Sequence, residues 1–132
     1  MWITVESSTV AAVPRLAPLL AVALLAVVVV VAARASRATP EPAASAIRAA
    51  SIAYGVPRGE MIAVSYCETG GDFNPRSLNR SSGAAGLFQF LRATWARTPY
   101  RGFDRFDAYA NALAAAWLVR KDGGWREWTC RP

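Results

Sequence analysis

PRGEMIAVSYCETGG, residues 57–71, opens on a proline and closes on a glycine pair, and the residues between have the period of a helix. Pro57 has the fixed φ that suits a first helical turn, and Gly70-Gly71 stops what it begins. Met61, Val64, Ser65 and Glu68 fall at i, i+3, i+4 and i+7, on one face. A carboxylate therefore stands at the far end of a mostly apolar stripe, directly after Cys67. Residues 72–86, rich in Asp, Asn, Pro, Ser and Gly, predict a loop of the length that compact domains usually keep for function.

Outward from this segment the chain continues to read as helices. From Ala46, the residues Ile47, Ala50, Ser51 and Tyr54 repeat at helical spacing, and Gly55 is placed to end that helix. Downstream, Leu87-Phe88-Gln89-Phe90 is a short apolar run with one embedded amide, followed by a helical turn around Thr94 and Trp95. Asp107 can cap a last long helix, on which Tyr109, Ala112, Leu113, Ala116 and Trp117 form the expected buried stripe. Arg120 and Lys121 suit its C-terminal dipole, and Gly123-Gly124 ends it. Strand signals are sparse and no internal repeat is visible, so the expected class is mainly α.

Ahead of the domain, residues 16–33 read LAPLLAVALLAVVVVVAA, an uncharged run between Arg15 and Arg34. As a helix it would be about 27 Å long, close to a hydrocarbon core of roughly 30 Å. It is longer than a usual signal-peptide core, yet Ala33-Arg34-Ala35 has the small-x-small form of a cleavage site, so anchor and cleaved signal peptide both stay open. Residues 1–15 precede it, and 34–45, with two prolines and small or charged residues, read as a linker to a domain at 46–132. Arg34 and Arg37 follow the tract, so the positive-inside rule does not by itself put that domain outside. The cysteines and the site residues outweigh this small bias, and an extracytoplasmic domain, membrane-anchored or secreted, is expected.

The 132 residues suit one domain, and the apolar fraction of 54% is inflated by the N-terminal tract. The formal charge of +6 favours an anionic partner. Lys121 is the single lysine and the arginines are scattered, which argues against nucleic acid. Histidine is absent, so a His-based triad or a His-ligated metal is excluded, and acid–base chemistry falls to carboxylates. No metal or organic cofactor is expected, and the protein reads as a monomer. Cys67 and Cys130 are too few for a structural zinc site. They can form a disulfide, which would add about 4 kcal/mol in the chain-entropy model and require an oxidising compartment, or remain two buried thiols.

Read in order, Cys67-Glu68-Thr69-Gly70-Gly71, Asp72-Phe73-Asn74-Pro75, Ser82-Gly83-Ala84-Ala85-Gly86-Leu87-Phe88-Gln89-Phe90 and Thr94-Trp95 resemble the soluble lytic transglycosylase family of the lysozyme-like superfamily. The likeness extends to short muralytic domains related to resuscitation-promoting factors and covers about residues 46–130. It implies a lysozyme-like lobe in which Glu68 protonates the glycosidic oxygen between N-acetylmuramic acid and N-acetylglucosamine, then acts as base while the muramyl C6 hydroxyl closes a 1,6-anhydro ring. The partner it implies is the glycan strand of peptidoglycan. By the same likeness Gln89 hydrogen-bonds sugar or orients the site, Phe88 belongs to sugar binding, Thr69 supports the glutamate, Asn111 matches a position where the family often has an important Asn, and Tyr109 can stack on a sugar face. Phe88 stands where many relatives have Met, and Thr69 where Ser is commoner.

A buried carboxyl holds its proton to higher pH, as a general acid must near neutrality. Hydrolysis of the lysozyme type would need a second carboxylate, for which Asp72, Asp104 and Asp107 are candidates. Asp72 and Asp107 also have structural readings, in the Asn-Pro turn and as a helix cap. Trp117 reads as packing, and Trp125 and Trp128, three apart before Cys130, as packing beneath the disulfide. A muramidase and a non-catalytic wall-binding module are the alternatives to the lytic enzyme.

Overall fold

The computed structural model describes residues 40–132. The apolar tract 16–33, the segment before it and residues 34–39 of the linker lie outside the described residues. No helix among the described residues is long and apolar enough to cross a membrane.

The domain is mainly helical. Helix α1 spans Glu41–Tyr54, α2 Arg58–Glu68, α3 Arg92–Ala96 and α4 Ala108–Asp122. α1 begins before the expected Ala46, so residues 41–45 of the expected linker are helical. Pro40 and Pro42 permit this, because the first turn of a helix has backbone N–H groups with no intrahelical partner to lose. The buried stripe accordingly starts a turn earlier, at Ala43, Ala46, Ile47 and Ala50. Gly55 ends α1 in the left-handed region with φ +63°, as its position predicts.

α1 packs chiefly against α4. Asp107 caps α4 as expected, its carboxylate accepting from the Ala110 N–H at 2.8 Å. The stripe expected on α4 is only partly right. Ala112 and Ala116 are buried, Leu113 and Trp117 are half-buried, and Tyr109 is 47% exposed. The helix instead buries most of its circumference, through Ala110, Asn111, Ala114, Ala115, Leu118 and Val119 as well. Its small side chains allow neighbours on several sides, so its large apolar residues do not mark the boundary of the buried face.

Between α2 and α3 the polar loop is built from side-chain turns. Asp72 accepts from the Asn74 N–H, Asn74 from the Arg76 N–H and Asn79 from the Ser81 N–H, at 2.8–3.0 Å. Leu78 pairs with Ala85, and Ala85 with Phe90, as single antiparallel bridges. After α4 the chain returns to the core through Trp125 and Trp128, which meet edge to face at 5.2 Å. Phe88 stacks on Trp125, and Phe90 meets both Trp95 and Trp128 edge-on. The indole N–H of Trp125 donates to Glu60 of α2, and that of Trp128 to the Phe88 carbonyl. Cys67 and Cys130 are joined as a disulfide across a sequence separation of 63, tying the end of α2 to the C-terminal segment.

Candidate active site

Glu68 is the last residue of α2, on the face that buries Met61, Val64 and Ser65. Thr69 then leaves the helix. Its hydroxyl donates to the Ser65 carbonyl at 2.8 Å and accepts from the Phe73 N–H at 3.0 Å, which fixes the exit of the chain beneath Glu68. Thr69 is itself buried and does not line the cleft, so it supports the turn instead of touching a ligand.

The Glu68 carboxyl opens onto a cleft of about 180 Å³. Its other walls are Gln89, Phe90, Leu91 and Thr94 from the loop and α3, and Glu127, Trp128 and Thr129 from the C-terminal segment. Gln89 has φ +46°, an uncommon value for a residue with a side chain. Its amide nitrogen donates to the Ser77 and Gly86 carbonyls at 3.1 and 2.8 Å. Among the described residues nothing donates to its Oε1, which is left as an acceptor for a ligand hydroxyl or amide.

Burial pushes the Glu68 carboxyl above its ordinary value of 4.5, and the backbone N–H of Cys130, which approaches without reaching full hydrogen-bond geometry, partly opposes this. The folded protein therefore holds this proton more tightly than the unfolded chain. The group's contribution to stability is present at low pH and declines as pH rises through its folded titration. Carbon-13 NMR of the Glu68 carboxyl is expected to give a midpoint above 4.5, with the alkaline limb of any activity profile following it; a midpoint at or below 4.5 contradicts the burial argument.

The remaining expected site residues are elsewhere. Phe88 is fully buried in the aromatic core and cannot face a sugar. Asn111 is also fully buried: its Oδ1 accepts from the Phe88 N–H at 2.8 Å, and its Nδ2 donates to the carbonyls of Arg105 at 2.7 Å and Ala85 at 3.3 Å. It clamps the loop that presents Gln89 and does not contact the cleft. Tyr109 is exposed on the first turn of α4 and is not a cleft residue. Trp117 is half-buried against the core, as packing predicts.

Asp72, Asp104 and Asp107 line no part of the cleft, and all three accept from backbone N–H groups. The second carboxylate is Glu127, whose Oε2 lies 3.5 Å from Arg97. Nothing in the local pattern marks Glu127 or Thr129. The signal that finds them is long-range: pairing Cys67 with Cys130 brings the residues before 130 beside Glu68. No protein-family model, curated protein or solved structure matches the chain.

Proposed function

We propose that the domain is a peptidoglycan-cleaving lytic transglycosylase of lysozyme-like fold, with Glu68 as its acid and then its base. The observation that supports this most is a half-buried carboxyl, raised in proton affinity, at the edge of an open cleft with polar walls. Protonated Glu68 gives its proton to the glycosidic oxygen as the bond from the muramyl C1 breaks. The ionised carboxylate then takes the proton of the C6 hydroxyl as that oxygen bonds to C1, so no water is consumed. Gln89 Oε1 supplies an acceptor to orient the amino sugar. The disulfide is consistent with an extracytoplasmic location.

A second reading is favoured by one observation. Glu127 shares the cleft, and a carboxylate held beside Arg97 could activate water, giving hydrolysis. Digestion of purified peptidoglycan with the full-length chain, followed by mass spectrometry, separates the cases. The expected products carry 1,6-anhydro-muramyl ends. Reducing ends would transfer the assignment to a muramidase, and intact glycan would leave only a binding module.

A further inference from the structure

The C-terminal wall of the cleft is held unevenly. Trp125 and Trp128 are buried, and their indoles are hydrogen-bonded, so the chain is anchored as far as residue 128. Beyond it the anchoring changes in kind. Thr129, Arg131 and Pro132 are exposed, and among the described residues no backbone–backbone hydrogen bond holds the chain beyond Trp128. Cys130 packs partly buried against the core, and its bond to Cys67 is the covalent hold on this stretch, keeping Thr129 in the wall and the Cys130 N–H near the carboxyl. Cys67 is the residue directly before Glu68. One covalent link thus ties the catalytic candidate to the wall beside it, and Cys67 is an exposed residue while Cys130 is half-buried.

We infer that Cys67 and Cys130 are positioning residues for Glu68, and that reducing their disulfide switches the cleft off while the domain stays folded. This rests on the function proposed above. A dithiol reductant attacks one sulfur, forms a mixed disulfide, and closes on itself, leaving two protein thiols and an oxidised ring. Thr129 and Cys130 are then free to leave the wall, and water reaches the carboxyl. Burial is the larger influence on Glu68 and the Cys130 N–H the smaller, opposing one, so losing both returns the group toward its ordinary value. Each unit of that return lowers the protonated fraction about tenfold above the titration midpoint. Glu127 is the other ionisable side chain lining the cleft; it precedes the Trp128 anchor and faces Arg97, while the lining residues Gln89, Phe90, Leu91 and Thr94 are uncharged and Arg92 of the same stretch does not line the cleft.

The test compares the oxidised full-length chain, the same chain with dithiothreitol, and a Cys67→Ser/Cys130→Ser variant, all at low temperature in sucrose to offset the lost cross-link. Near-ultraviolet circular dichroism reports the fold, glycan release the rate, and carbon-13 NMR the Glu68 titration. The expected result is a native aromatic signal in all three, with kcat/KM lowered about tenfold or more and both the alkaline limb and the Glu68 midpoint moved to lower pH on reduction. The serine variant is expected to match the reduced chain and to ignore dithiothreitol. A reduced chain that unfolds makes the bond a staple and overturns the inference, as does a folded one with an unmoved or raised midpoint. If the oxidised chain never cleaves glycan, the proposed function fails, yet the NMR comparison still decides whether the link positions Glu68.

Discussion

Glu68→Gln is expected to lower glycan cleavage by about three orders of magnitude, the range associated with removing a positioned general acid and base. The amide keeps the shape and much of the hydrogen bonding of the carboxyl but has no proton to give at neutral pH. Folding should not suffer, because the half-buried carboxyl is held against the preference of its charged form for water, and the amide is free of that penalty. Dye release from labelled peptidoglycan, paired with a thermal melt, checks both halves. A variant within tenfold of the parent would remove Glu68 from the mechanism, whatever the fate of the glycan.

Gly86→Ala is expected to be the most destabilising small substitution in the loop. Gly86 has φ +84°, and a Cβ there would stand 2.2 Å from Asn111 Nδ2 and 2.4 Å from the Arg105 carbonyl oxygen. Neither neighbour can yield cheaply: one atom is backbone, and the other is fixed by the bonds that Asn111 makes to Arg105, Ala85 and Phe88. Backbone strain, overpacking and a broken buried clamp together should cost about 4 kcal/mol, a large share of the stability of a domain of this size. Gly83 has a similar φ, +73°, but open space where a Cβ would go, so Gly83→Ala should lose only about 1 kcal/mol. Denaturant melts of the two variants measure the difference; equal losses would show that φ alone, and not the Asn111 contact, decides.

How far this site was legible depends on the range of the interactions that build it. α2, its apolar face and the place of Glu68 follow from spacing within one helix, and the αL glycines at 55 and 123 end their helices where the pattern puts them. Gln89 was legible as a polar residue inside an apolar run, although its positive φ was not. Phe88 and Asn111 misled in a consistent way. Both belong to the stretch that shapes the cleft, but they act from behind it, through packing and a backbone clamp, and spacing does not tell the front of a loop from its back. Tyr109 lies exposed on the first turn of α4 and is not among the residues lining the cleft, because helical spacing does not say which surface an exposed aromatic serves. Glu127 and Thr129 carry no local signal at all, since a cross-chain bond brings them to Glu68.

The alanines of α4 have a further consequence. A methyl group removes little area from water, so the contact between α1 and α4 is close yet contributes modestly per residue. The wide rings of Phe88, Phe90, Trp95, Trp125 and Trp128 gather beside the cleft, which Phe90 and Trp128 also line. Native-state amide exchange should therefore open the helix pair first and the aromatic cluster last, an arrangement in which the scaffold breathes around a comparatively stiff cleft.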